Sequence, residues 1–138
     1  MDDGSNALDK YRAFSATAPF NLWLGLEPVS VGQGEVEIRI IGRPDMTQYS
    51  GFLHAGIVGA MIDTACGFAA STVAGRLIAS HYSVDFLSPA VGESFIARGR
   101  LVKAGRRQVF ARAELFAETK GARKLVAVGD TLLLTEES

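Results

Sequence analysis

Two hydrophobic periods run along this chain. Over residues 6–18, Leu8, Tyr11 and Phe14 recur at helical spacing and predict a short amphipathic helix ending before Pro19. Residues 24–31 and 35–41 flank Gly32-Gln33-Gly34 and read as a hairpin. Its second strand sets Val36, Ile38 and Ile40 against Glu35, Glu37 and Arg39. A loop over 42–51 contains Pro44, and then polar residues almost vanish: 55–73 is a long apolar helix stopped by Gly75. Everything afterwards reads as strand. Strands are predicted over 77–87, ended by Ser88-Pro89, over 94–102, over 108–117 and over 123–134. In the third, Val109, Ala111, Ala113 and Leu115 alternate with Gln108, Arg112 and Glu114. The last three strands are joined by the turns Lys103-Ala104-Gly105-Arg106-Arg107 and Thr119-Lys120-Gly121.

An N-terminal hairpin, one buried helix and four following strands predict an α+β architecture, an antiparallel sheet around a helix. No repeat, low-complexity tract or linker interrupts the order. One domain over residues 1–138 is expected, with 1–20 as an N-terminal helical extension.

Composition narrows the function classes. At 48% hydrophobic and 21% charged, the chain has ample material for a core. Fourteen basic residues against fifteen acidic ones give a net charge of −1, which argues against a nucleic-acid binder held by bulk electrostatics. The one cysteine, Cys66, forms no internal disulfide and suits buried packing in a reducing compartment. The N-terminus, Met1-Asp2-Asp3-Gly4-Ser5-Asn6, is polar and shows no signal-peptide core, so a cytoplasmic location is expected. The apolar stretch 55–73 is the one candidate membrane span. With Asp63 at its centre, where a charge costs about 2.5–3.5 kcal/mol on insertion scales, it is read as a helix buried in protein, with no membrane partner.

That helix carries the candidate chemistry. Gly56, Ala60, Asp63, Gly67 and Ala70 fall at i, i+4, i+7, i+11 and i+14, on one face. Small residues there let a backbone or ligand come close, and each interior Gly costs roughly 1 kcal/mol against Ala. An ionised Asp on such a face is either a satisfied core group or a catalytic one. The helix start is the second candidate. Its first amides have no intrahelical acceptor and carry partial positive charge, so the Ala55 and Gly56 N–H groups could serve a developing oxyanion. The plainer reading is that His54 only caps the helix. A third candidate is the cation cluster Lys103, Arg106 and Arg107, suited to phosphates or simply a solvated turn. Tyr49, Phe52, Phe68, Tyr82 and Phe86 are candidates for an acyl pocket or for plain core. Two histidines, one cysteine and scattered carboxylates give no metal-ligand cluster, and no Gly-x-Ser-x-Gly elbow occurs. No metal or cofactor is expected.

Taken together, His54-Ala55-Gly56, the apolar helix, Asp63-Thr64-Ala65 and a strand ending Phe86-Leu87-Ser88-Pro89 resemble the hotdog-fold acyl-CoA thioesterases of the PaaI type, over about residues 24–134. The resemblance implies a long central helix wrapped by a curved antiparallel sheet of five to six strands. It implies dimers joined sheet edge to sheet edge, or homotetramers of two such dimers, with sites that mix residues of both subunits. By position it makes Asp63 the general base or nucleophile, and the Ala55 N–H the donor to the thioester carbonyl where relatives carry Gly. Gly56 matches the second family glycine. His54 becomes a positioning residue, and Gln48 a carbonyl or water ligand. A strand hydroxyl found in some relatives falls on Ala79 here, with Ser80 beside it. Ser80, Tyr82, Lys103, Arg106 and Arg107 are the expected contacts to the acyl-CoA substrate. Two other functions share these residues: an enoyl-thioester hydratase or dehydratase using His54 with Asp63, and a non-catalytic acyl-CoA binding module.

Overall fold

The computed structural model describes residues 4–136. The expected first helix is α1 (Gly4–Ser15), and an unexpected second helix, α2 (Pro19–Leu24), follows it. α1 stops at Ser15, before the proline, and Pro19, which has no N–H to lose at a helix start and a φ already suited to one, begins the second helix. Gly25, with φ 69°, closes α2 by donating its N–H to Leu22 O at 3.2 Å. Leu24, read from the sequence as the start of the hairpin, is instead the buried end of α2. The hairpin follows as β1 (Glu27–Gly32) and β2 (Glu35–Ile41), with Val36, Ile38 and Ile40 of β2 buried as the alternation requires.

The long helix is α3 (Ala55–Ala74). It delivers the chain to β3 (Leu77–Phe86), and then come β4 (Ser94–Ala104), β5 (Gln108–Thr119) and β6 (Ala122–Thr135). All pairings are antiparallel, and the sheet order is β1-β2-β4-β5-β6-β3. Twenty helical residues span about 30 Å, enough to carry the chain across the sheet, so β3 lands on the far edge beside β6. The return segment is held by Leu53 N–H to Ala90 O at 2.9 Å, Gly42 N–H to Glu93 O at 2.8 Å and Glu93 N–H to Glu118 O at 2.9 Å.

α3 packs against β2, β4, β5 and β6 with Val58, Met61, Ile62, Ala65, Cys66 and Ala69. The sheet answers with Ile38, Ile40, Ala97, Val109, Ala111, Ala113 and Leu115. Alanines on both sides bring helix and sheet close, and Gly99 of β4 completes the contact, since a β-carbon there would overlap the Ala65 carbonyl. Burying this apolar surface, at roughly 25 cal/mol per Å², is what fixes α3 in place. The helix that could by length cross a membrane is therefore the buried core helix of this fold.

Two surfaces stay open. On α3, Gly56 is exposed and Ala60, Asp63, Thr64, Gly67 and Ser71 are half-buried, an uncovered stripe along the helix. Ala70, expected on that stripe, is packed into the core. The other open surface is β3, paired on one side only and exposed over most of its length, with Ile78, Tyr82 and Phe86 showing large apolar area.

Candidate active site

The α3 N-terminus is built by the loop before it. Thr47 bridges Leu53, Gln48 N–H donates to Phe52 O at 2.8 Å, and His54 N–H donates to Met46 O at 2.9 Å. These bonds fold the loop back at the helix start, with Met46 against His54 and Gln48 against Phe52. The Gln48 Oε1 accepts from Ser50 N–H and from Phe52 N–H (3.3 Å). Its Nε2 is the end left to donate, with no acceptor among the described residues.

His54 is the N-cap, its Nδ1 accepting from Gly56 N–H at 2.8 Å. An accepting Nδ1 places the proton of a neutral ring on Nε2. The Gly56 amide is therefore already taken within the chain. Ala55 N–H, at the first helical position, has no acceptor among the described residues and stands at the positive end of the helix dipole. Beside Ala55 lies a pocket of about 350 Å³ lined mainly by Phe52, Val58, Phe86, Leu87, Pro89 and Ala127, an apolar slot of small-ligand size.

Asp63 sits on the open stripe, and its Oδ1 is buried without a hydrogen-bond partner. Burial alone pushes the carboxyl above the ordinary range of an aspartate, because nothing nearby compensates the charged form. Among the described residues one other buried side-chain polar atom lacks a partner, Thr131 Oγ1, which lies deep in the core. Within one chain Asp63 cannot share a substrate atom with Ala55: eight residues of helix separate them by about 12 Å. Cys66, one turn further into the core, has its thiol pushed up to about 12, chiefly by burial, and is no nucleophile at neutral pH. Among the described residues no group of three His, Cys, Asp or Glu side chains is placed to hold a metal ion.

The remaining expected site residues are dispersed. Ser80 lies at a β-bulge between Ala79 and His81, and its hydroxyl donates to Leu132 O at 3.3 Å instead of facing α3. Tyr82, two residues on, lays its hydroxyl against α3 at Gly59. Lys103, Arg106 and Arg107 lie around an open depression at the end of the sheet where α3 finishes, tied down by Thr135 N–H to Arg107 O at 2.9 Å. Seven residues of β5 put that turn about 24 Å from Leu115, near the start of α3. Of the five candidate acyl-pocket aromatics, Phe52 and Phe86 line the slot beside Ala55. Phe68 packs on Tyr11 and Phe14 of α1, with ring centroids 5.4 and 6.1 Å away, and Tyr49 is fully exposed. Neither that aromatic trio nor the Tyr11–Ser71 hydroxyl pair (2.7 Å) was signalled by periodicity, because both depend on how α1 crosses α3.

Known proteins bear the same stamp. A family model described as Thioesterase superfamily matches residues 50–123, just over half of the chain and the span from the loop before α3 into β6. A thioesterase family protein from Silicibacter pomeroyi is 34% identical, covers 89% of this chain and 93% of its own, and superposes with a TM-score of 0.86. A point-mutant form of the phenylacetic acid degradation protein PaaI from Thermus thermophilus is 28% identical over 86% of this chain and 100% of its own, with a TM-score of 0.77. The PaaI protein of the Escherichia coli phenylacetic acid degradation operon, 18% identical, shares the fold (TM-score 0.86, 98% of this chain and 96% of its own). With its curved antiparallel sheet around one apolar helix, the chain belongs to the thioesterase superfamily, as a hotdog-fold protein of the PaaI-like type.

Proposed function

We propose that this protein hydrolyses an acyl-CoA thioester to the free acid and CoA, in sites shared between two copies of the chain. The observation that carries the reading is the Asp63 carboxylate, half-buried on an open stripe of small residues with one oxygen unpartnered. A polar group left so costs stability unless it is used.

Asp63 and the free Ala55 N–H stand two helical turns apart in one chain, so their joint action on one carbonyl needs a second subunit. The exposed β3 edge supports such a partner, because unpaired edges of this length are normally covered. Two copies of β3 joined about a two-fold axis run antiparallel. The slot beside Ala55, at the Phe86 end of one β3, then meets the Leu77 end of the other. The cation turn is tied to that same end, since Leu77 pairs with Thr135 and Thr135 N–H holds Arg107 O. In this arrangement Lys103, Arg106 and Arg107 of the partner subunit receive the nucleotide phosphates of a substrate whose carbonyl lies at Ala55. A dimer, or a dimer of dimers, is the working assembly.

The chemistry then runs on residues of the chain. The Ala55 N–H and the Gln48 Nε2 donate to the thioester oxygen, and Asp63 of the partner subunit takes a proton from water as that water attacks the carbonyl carbon. Collapse of the tetrahedral intermediate breaks the C–S bond, and the thiolate leaves to take up the proton. A raised carboxyl pKa suits Asp63 to this work, since a base is most effective when its pKa approaches the working pH. The test is an acyl-CoA panel with a thiol reagent. Free CoA released in step with substrate loss is expected. A hydroxyacyl thioester with no free thiol would instead establish hydration, and tight binding without turnover would establish a binding module.

A further inference from the structure

We propose that Arg43 is a positioning residue of the site: clasped to α2, it sets the turn that aims the Ala55 N–H. The inference rests on the hydrolase reading above. Trp23 is the only tryptophan of the chain and stands 46% exposed near the end of α2, its ring 6.0 Å from that of Phe20. The exposed ring is a platform. The Arg43 guanidinium lies over it, with Cζ 4.9 Å from the ring centroid, within cation–π range. Its Nη2 donates to Trp23 O at 2.8 Å, one of the last-turn carbonyls that a helix leaves without an intrahelical donor. Its Nε donates to Asp45 Oδ1 at 3.1 Å. A planar fork makes all three contacts at once, which a lysine ammonium could not.

The clasp reaches the helix start through consecutive hydrogen bonds. Arg43 has an extended backbone (φ −133°, ψ 152°), favoured before a proline, and Pro44 opens a single 3₁₀ turn, Pro44–Met46. Arg43 O accepts from Met46 N–H at 3.0 Å and closes that turn. Met46 O accepts from His54 N–H at 2.9 Å, and His54 Nδ1 accepts from Gly56 N–H at 2.8 Å. The Ala55 N–H belongs to the planar peptide unit that joins His54 to Ala55, so any turn of His54 redirects it. The Arg43 and Asp45 side chains are 36% and 59% exposed, and pairs so exposed add little to stability. Their consequence is geometric, since a misplacement of about 1 Å at the reacting groups costs on the order of 10²-fold in rate.

The experiment compares Arg43→Ala, Ala55→Pro, the double variant and Asp63→Asn by steady-state thioester hydrolysis, thermal melting and the fluorescence emission of Trp23. Arg43→Ala lifts the guanidinium off the ring, so the emission should change, while the melting temperature should move by about 4 °C or less. Its kcat should fall about 10- to 100-fold, with KM close to wild type. Ala55→Pro takes away the N–H itself, at a helical position where proline is favoured. Because both changes act on one interaction, Arg43→Ala should slow the Ala55→Pro enzyme by less than about twofold. A general loosening of the fold would instead multiply the two losses. With Asp63→Asn inactive and Ala55→Pro slow, three results each overturn the Arg43 assignment alone: an unchanged Trp23 emission, a kcat close to wild type or a loss confined to KM, and losses that multiply in the double variant. An Ala55→Pro enzyme at wild-type speed would overturn it too, by leaving no N–H for the clasp to aim. An Asp63→Asn enzyme as fast as wild type would instead remove the hydrolase reading beneath it.

Discussion

Replacing Asp63 by Asn separates function from stability in one change. The side chain keeps its size, so the packing of Ala60, Thr64 and Gly67 around it is preserved, and only the charge and the basic oxygen are lost. Removing a positioned general base slows turnover by about 10²–10⁴-fold, and substrate binding should persist. Stability should move the other way. Burial raises the folded-state pKa of Asp63 above its unfolded value, with no hydrogen bond to Oδ1 offsetting it. Such a group favours the fold fully below the unfolded carboxylate pKa, and that contribution disappears as pH rises through the raised folded value. At neutral pH the wild-type carboxylate is therefore a net cost, and Asp63→Asn should melt higher. The advantage should shrink as pH falls towards about 4, the ordinary value for an aspartate. The assay is thiol release from acyl-CoA alongside melting curves at several pH values. Turnover within a few-fold of wild type, or an Asn variant that melts lower at neutral pH, would refute the reasoning.

Other substitutions probe the rest of the site. Ala55→Pro should remove the free N–H and leave α3 intact, because proline is favoured at the first helical position and His54 (φ −58°, ψ 137°) already has the extended backbone that a following proline demands. Its kcat should fall about 10²–10³-fold at an unchanged melting temperature; an unaffected kcat would show that this amide does not meet the oxyanion. Gln48→Ala should lower kcat more than it raises KM if Nε2 binds charge that develops in the transition state, whereas a pure KM effect would make it a substrate-positioning group. Arg106→Ala with Arg107→Ala should raise KM for acyl-CoA, and less so for short thioesters lacking the nucleotide, with the wild-type KM rising with salt; no change on either substrate would leave the turn as plain surface.

Much of this was legible in the chain, and the parts that were not share a cause. Local pattern made α3 and the later strands readable: the nearly unbroken apolar run of α3 from Ala55, the buried alternation of β2 and the turn at Lys120-Gly121 are all visible in the chain itself. α2 was missed because Pro19 is compatible both with ending a helix and with starting one, and six residues carry too little periodicity to decide. The open stripe was predictable from i, i+4 spacing up to Gly67, but a residue at i+14 has drifted far enough round for Ala70 to be core. Site geometry was harder, since it depends on which strand lies beside which helix turn. The sequence places Ser80 and Tyr82 two apart, and only the bulge at Ala79/His81 and the β3–β6 pairing decide that Ser80 bonds to the sheet while Tyr82 crosses to Gly59. The capture of the Gly56 amide by His54 was foreseen only as the plainer alternative, because an N-cap side chain and an oxyanion compete for the same first-turn N–H groups.

The shared site is tested most directly by mixing subunits. Asp63→Asn and Gln48→Ala chains, co-expressed so that they pair at random, form hybrids in half of the dimers. In each hybrid one site receives Asp63 from one chain and Gln48 from the other, and its second site carries both defects. The account predicts that the mixture recovers about a quarter of wild-type activity, far above either variant alone at about 1% or less. Activity that stays at the average of the two variants would place Asp63 and Gln48 in the same chain's site and contradict the account.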